Sequence, residues 1–276
     1  MYLSIIVPTY NRLSVLERAI TSIVSQDFLE GRDDWELILV DDGSIDNTQD
    51  WVRSNYPNVV YIKQSNLGVS AARNAGLERA MGEWVALLDS DDEWLPTKLS
   101  RQFDLLTKTN LKICHTEEIW IRNGVRVNQM NKHKKAGGWI FERCLPLCAM
   151  SPSSIVIHRS VFEDTGVFDT SLPACEDYDL WLRITSQYEV AYVEEPCIKK
   201  YGGHSDQLSR LHWGMDRFRV IALEKLLSRG DSLKPLDKEL ARAMLMKKLG
   251  ILLKGAIKHN NVELIDRCEN SLTRFS

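Results

Sequence analysis

"WVALLDSDDEWLP", residues 84–96, runs from an unbroken apolar segment into three aspartates within four positions. An apolar run with no polar alternation is the pattern of a strand buried on both faces. Three carboxylates crowded at its end repel one another, so the arrangement predicts a cation held beside them.

Upstream, "GVSAARNAGLERAMG" (68–82) predicts a helix closed by Gly82, and "VVYIKQ" (59–64) a strand before it. Residues 46–55 predict a helix with Asp46 as its N-terminal cap. "WELILVDDGS" (35–44) and "LSIIVPTY" (3–10) are two further β-rich runs, and Leu13, Leu16, Ile20, Ile23 and Val24 recur between them at helical spacing. Strands alternating with helices predict an α/β fold: a Rossmann-like, mostly parallel sheet flanked by helices.

The middle of the chain is less regular. "LKICHTEEIWIRNGVRVNQ" (111–129) predicts a hairpin turning at Asn123-Gly124. The polar, basic stretch 128–138 reads as a mobile loop. Its Lys132, Lys134 and Lys135 either face solvent or meet an anionic acceptor. "SSIVIHRSVFEDTGVFD" (153–169) resumes strand then helix, and "EDYDLWLRITSQ" (176–187) is an amphipathic helix with Asp179 on its surface. From Trp213 onward the pattern is helical, with Pro235 starting a helix. The expected division is 1–212 for the α/β domain, with halves 1–110 and 111–212, and 213–276 for a helical extension.

Charge excludes some classes. Thirty-five basic against 38 acidic residues leave a net charge of -3, which does not fit a nucleic-acid binder driven by bulk electrostatics. No apolar run approaches the roughly 18 to 20 residues of a membrane span, and the N-terminus reads as a first strand rather than a leader. Six cysteines without a C-x-x-C pair or zinc spacing read as buried, reduced thiols of a cytoplasmic protein.

Parallel α/β sheets bind ligands at the carboxyl ends of their strands. Three such ends carry "PTYNR", "VDDGS" and "LDSDD", distant in sequence yet brought to one sheet edge. Asp89 and Asp91 project to one side of an extended segment. Hard oxygen ligands of this kind suit Mg²⁺ or Mn²⁺. The competing readings are a helix cap among Asp91 and Asp92 and an ordinary turn at "DDGS".

"SIIVPTYNR", "LVDDGSIDNT", "NLGVSAARNAGLERAMGEWVALLDSDD" and "EDYDLWLRI" together resemble the family 2 glycosyltransferases of the GT-A fold, over about residues 2–205. The resemblance implies transfer of a sugar from a nucleotide-diphosphate sugar, with UDP favoured, to a hydroxyl acceptor. It implies Pro8, Thr9 and Asn11 beside the nucleotide, Asp41 on the base, Asp42 near the ribose, and Arg73, Asp89 and Ser90 on the donor. Asp91 would ligate Mn²⁺ or Mg²⁺ with Asp89 and Asp92 in support, and His204 in "KKYGGHSDQLSR" would reach the metal or diphosphate. Asp177, preceded by Glu176, would be the catalytic base, giving direct displacement with inversion. Helix capping by Glu176 and Asp177, and an exposed loop role for His204, are the plain alternatives.

The resemblance also implies a carbohydrate or lipid-linked acceptor and surface polysaccharide or glycolipid assembly, at the inner face of the membrane. Lys247, Lys248, Lys254 and Lys258 among apolar residues suit a helical cap, a homo-oligomer contact or peripheral membrane contact. A nucleotidyltransferase shares the acidic metal chemistry, but "PTYNRLS" lacks a glycine- and basic-rich phosphate loop. A catalytically inactive nucleotide- or glycan-binding module is the reading from another class.

Overall fold

The computed structural model describes residues 1–203, 212–229 and 233–276. Strand β1 (Leu3–Thr9) is buried throughout and pairs in parallel with β2 (Trp35–Asp41) and β4 (Trp84–Leu87), while β2 pairs in parallel with β3 (Val60–Lys63). Alternation explains why these strands read as unbroken apolar runs. Ile5, Val7, Leu37 and Leu39 pack into one core, and Ile6, Ile38 and Val40 into the other. Helix α1 (Leu13–Val24) covers the first face through Leu16 and Ile20. Helices α2 (Thr48–Asn55) and α3 (Val69–Arg79) complete the first half, with α3 packed so closely that a Cβ at Gly76 would sit 2.4 Å from Ile6 Cγ2.

After the short β5 (Glu93–Trp94), α4 (Lys98–Thr109) leads into β6 (Ile113–Arg122). The turn to β7 (Val125–Val127) falls at Asn123 and Gly124, both at positive φ (49° and 76°), as a two-residue hairpin demands. A four-residue α5 (Phe141–Cys144) precedes β8 (Val156–His158), which pairs antiparallel with β4 and β6 and so joins the two halves in one mixed sheet. Helices α6 (Arg159–Thr165) and α7 (Glu176–Thr185) then precede β9 (Ala191–Gly202), which runs parallel to β6 and antiparallel to β5. The sheet order is β3-β2-β1-β4-β8-β6-β9-β5, with β7 on β6.

The helical extension comprises α8 (Asp216–Ser228), α9 (Pro235–Lys258, with proline in its first turn) and α10 (Val262–Phe275). Phe218, Leu223, Leu245, Leu249 and Cys268 belong to the same core as Ile6 and Ile38, so this extension closes one face of the sheet. No helix among the described residues is long and apolar enough to cross a membrane.

Four local expectations are corrected. Helix α2 starts at Thr48, and Asp46 bonds the Thr48 amide (3.2 Å) from just outside it. Helix α3 stops at Arg79; Gly82 instead lets the chain touch β1, where a Cβ would lie 2.4 Å from Ser4 N. Stretch 128–138 is anchored: Lys135 is buried 3.3 Å from Glu118, and Gly138 exchanges backbone bonds with Val190. Asp179 is 4% exposed and pairs with Arg183 at 2.7 Å, because its face of α7 packs inward, where Arg183 also caps the Thr165 and Val167 carbonyls.

Lys98 is fully buried. Its ammonium lies 3.9 Å from the Trp94 ring centre with no hydrogen-bond partner, and burial pulls its pKa down to about 7. The unfolded chain therefore binds the extra proton between the two pKa values, and stability rises with pH across that interval. Lys98→Met is expected to raise unfolding free energy by on the order of 4 kcal/mol below pH 7, with the gain shrinking toward pH 10. Urea unfolding at several pH values measures this, and a pH-independent difference would contradict it.

Candidate active site

Register gathers the polar strand ends. Thr9 at the end of β1 lies opposite Asp41 at the end of β2, and Ile6 opposite Leu87, so the chain leaving β4 emerges beside both. A cleft of about 680 Å³ opens there, bordered by Pro8, Thr9 and Asn11 on one side and by the acidic 89–92 loop on the other. The Thr9 hydroxyl is buried in this wall without a partner. Asn11, at φ 49°, accepts from the Ile45 amide (2.9 Å), while its own amide donates to Ser44 Oγ (2.9 Å). It thereby fixes the β1 end to the loop after β2.

The two aspartates of "VDDGS" differ. Asp41 is fully buried; its carboxylate accepts from the Ser44 amide (2.7 Å) and from the Tyr61 hydroxyl, and that burial and bond push the tyrosine up. Asp42 lines the cleft and gathers the segment before α3, accepting from Gln64 Nε2 (2.7 Å) and from the Leu67 and Gly68 amides (2.9 and 2.8 Å). Asp41 therefore shapes the loop from beneath, while Asp42 faces the cavity.

The acidic loop is likewise divided. Asp89 accepts from Arg73 at 2.7 Å, and its amide donates to Ser153 Oγ. Ser90 lines the cleft. Asp92 is turned inward, accepting from Ser153 Oγ (2.6 Å) and the Tyr201 amide (3.0 Å); burial, then the Asp91 charge, pushes its carboxyl well up. Asp91, like Asp89, has a partly open side chain: it lines the cleft 3.6 Å from Arg12, while Arg18, stacked on Tyr201, donates to its carbonyl at 2.5 Å.

Arg73 is 3% exposed and serves two acids at once, Asp89 (2.7 Å) and Glu176 (2.8 Å). The two carboxylates hold its pKa up against burial. Glu176, raised by burial and by Asp177, lines the cleft with its carboxylate bonded to Arg73. Asp177 stands beside it in the first turn of α7, where the helix dipole favours negative charge. The residue before them, Cys175, holds the left-handed conformation (φ 63°) that aims the turn. Such a backbone costs energy and collects at functional sites.

Asp177 also borders a second cavity of about 310 Å³, reached past Lys200 and Tyr201. Its Oδ1 accepts from the Tyr178 amide (2.7 Å) and its Oδ2 from the Cys148 thiol (3.0 Å). Burial and the neighbouring Asp177 push that thiol well up, so it stays protonated and donates. Lys200 Nζ donates to Ser151 Oγ (2.9 Å), and Glu118, Asp92 and Asp89 around it keep it charged.

Among the described residues, no group of three His, Cys, Asp or Glu side chains forms a metal cage. His204 lies outside the described residues. The donor set fits Mg²⁺ or Mn²⁺ in the mode that takes one or two carboxylates and completes its shell from substrate oxygens. Asp91 and Asp89, which both line the cleft, are the carboxylates that could meet such an ion.

Several contributors escaped sequence reading. Lys200 and Tyr201 sit in "KKYGGHS", where His204 was the residue the family resemblance marked. Cys148 lies in a stretch with no periodic signal, and Ser153 opens a run legible only as strand.

A parallel half with acids at its strand ends, joined by antiparallel strands to a half that brings another carboxylate to the same cleft, is the GT-A arrangement of a nucleotide-sugar enzyme class. The chain belongs to glycosyl transferase family 2, whose model matches residues 4–165, more than half of it. It is 32% identical over 212 residues to the putative colanic acid biosynthesis glycosyl transferase WcaA of Escherichia coli K12, covering 70% of each chain. It is 28% identical to the E. coli enzyme named UDP-Glc:alpha-D-GlcNAc-diphosphoundecaprenol beta-1,3-glucosyltransferase WfgD, over 69% of this chain and 72% of that one. It spans only 32% of the length of an uncharacterized Rickettsia conorii glycosyltransferase that it matches at 25% identity over 71% of its own length. In fold it resembles S. aureus TarS 1–349 in complex with UDP-GlcNAc, with a TM-score of 0.77 at 19% identity, over 100% of this chain and 80% of that one.

Removing the shared guanidinium strands the buried Glu176 carboxylate and the partly exposed Asp89. Arg73→Met is expected to lower unfolding free energy by about 3–5 kcal/mol. Arg73→Lys, whose single ammonium cannot present the same fork, should recover only part of it. Chemical denaturation measures both, and a neutral Arg73→Met would refute the bridging role.

Proposed function

We propose that the protein is an inverting, metal-dependent glycosyltransferase that moves a sugar from a nucleotide-diphosphate sugar to a hydroxyl acceptor. The observation that carries this reading is that Asp91 and Asp177 line one cleft while Asp177 alone of the two also lines the second cavity. Residues 1–110 supply the donor side and 111–212 the acceptor side.

The donor's nucleotide lies along Pro8, Thr9, Asn11 and Asp42, with Asp41 holding the loop beneath the base. Its diphosphate faces Asp91, with Asp89 and Ser90 alongside. Asp91 would hold Mn²⁺ or Mg²⁺, which when bound neutralises charge on the departing diphosphate. Arg73 and Glu176 fix the distance between the acidic loop and α7. Asp177 accepts the proton of the acceptor hydroxyl as its oxygen bonds to the anomeric carbon. The bond from that carbon to the diphosphate oxygen breaks on the other side. The proton ends on Asp177 and the negative charge on the nucleoside diphosphate. One base opposite the leaving group gives a single displacement and inverted configuration. Cys148 and the Tyr178 amide keep the Asp177 carboxylate turned toward the incoming hydroxyl.

A UDP-sugar donor, and a place in surface polysaccharide or glycolipid assembly, are supported by the names of WcaA and WfgD and by the UDP-GlcNAc held by TarS. The acceptor is a carbohydrate or a lipid-linked sugar.

Asp177→Asn is expected to lower kcat by about 100- to 10,000-fold, the range for loss of a general base, with donor affinity little changed. Asp91→Asn should instead abolish the Mn²⁺ dependence of donor binding. Transfer assays with a nucleotide-sugar panel, and thermal shifts with and without Mn²⁺, separate the two roles. Full turnover in Asp177→Asn with loss in Asp91→Asn would remove the base assignment.

A further inference from the structure

Beyond Asp177 the second cavity adjoins a smaller recess of about 150 Å³; His133, Lys135, Leu147 and Ala149 line both. A cavity of that size takes a group as large as benzene. Its remaining polar lining includes Lys132, Lys134, Arg143 and His115, and it contains no carboxylate. Lys135 is already committed, 3.3 Å from Glu118 and bonded to the Ala149 carbonyl at 3.1 Å. Lys132, Lys134 and Arg143 form no ion pair among the described residues and are exposed.

His115 adds a different group. Its Nε2 bonds to the Ala136 carbonyl at 2.8 Å, which requires the proton there and leaves a lone pair on Nδ1. Nδ1 is buried without a partner. Burial and the Lys135 charge pull the ring down to about 3, so it stays neutral. The recess thus presents three cations that form no ion pair among the described residues, backed by a neutral, fully buried His115. Carboxylates crowd the cleft on one side of Asp177, and cations crowd the recess on the other.

We propose that this recess binds a phosphate or diphosphate group carried by the acceptor, with the acceptor's sugar in the second cavity and its hydroxyl at Asp177. The anionic oxygens meet Lys132, Lys134 and Arg143. Charge-assisted bonds of this kind are about twice as strong as neutral ones. Trp120, held by its indole bond to Glu118 (2.7 Å), gives the cavity between them a flat wall for a sugar face. This assignment rests on the glycosyl-transfer reading for the sugar's position, and on the recess alone for the anion.

Two measurements test it on the full chain. By calorimetric titration with inorganic pyrophosphate, the triple variant Lys132→Ala/Lys134→Ala/Arg143→Ala is expected to bind one equivalent fewer than the wild type. Equal stoichiometry and affinity, or no binding to the wild type, overturns the site. In transfer assays the variant should raise KM at least about tenfold for a phosphorylated acceptor, leaving donor hydrolysis and KM for a neutral octyl glycoside unchanged. A rise confined to a short-chain lipid glycosyl diphosphate assigns the anion to a lipid-linked acceptor, and one confined to a free glycosyl phosphate to a soluble one. Equal change for charged and neutral acceptors overturns the proposal. If the wild type hydrolyses no nucleotide sugar, the transfer reading falls, and the pyrophosphate titration still decides the recess.

Discussion

The architecture turns on one buried guanidinium. Arg73 leaves α3 in the first half of the chain and bonds Asp89 after β4 and Glu176 at the start of α7. Its two carboxylate partners lie 87 residues apart in sequence. Without that cation, the acidic loop and the helix carrying Asp177 would repel across the cleft. With it, both stand at a fixed separation, and their remaining carboxylates can act on one substrate. A buried pair of this sort stabilises little in net terms, because desolvation offsets much of the attraction. Its value here is geometric.

Much of the fold was legible because burial writes a simple code. Strands covered on both faces need apolar side chains on both, and β1, β2 and β4 have them, apart from the strand ends and the buried Ser4–Glu36 pair (2.6 Å). The hairpin at Asn123-Gly124 was legible for another reason: few residue pairs tolerate two positive φ values in succession. The candidate site was legible in outline, since strand ends in a parallel sheet converge by topology. Its interior was not. Whether an arginine is solvated or buried depends on carboxylates far along the chain, so nothing in "AARNAG" announced that Arg73 bridges Asp89 and Glu176. Asp179 and Lys135 misled for the same reason, as each meets a partner that periodicity cannot reveal.

The three aspartates that opened the question share a segment but not an environment. Asp92 is absorbed by Ser153 and the β9 backbone, while Asp89 meets Arg73 and Asp91 stands near Arg12, both lining the cleft. Crowding is relieved by giving each acid a different neighbour. Lys200 contributes from β9, its charge shared with Glu118 and the acidic loop. Cations placed at 73 and 200 let the loop stay negative where it faces the cavity.

The helical extension bears on how the molecule behaves as a whole. Phe218, Leu245 and Cys268 share one continuous interior with Ile6 at the centre of the sheet. Severing the chain ahead of α8 would leave that side of the sheet wet and its apolar residues bare. The three final helices are therefore a constitutive wall rather than a detachable arm, and they should melt in the same transition as the strands that carry the acids. Any partner gripping them would be felt at α7, against which α8 is packed.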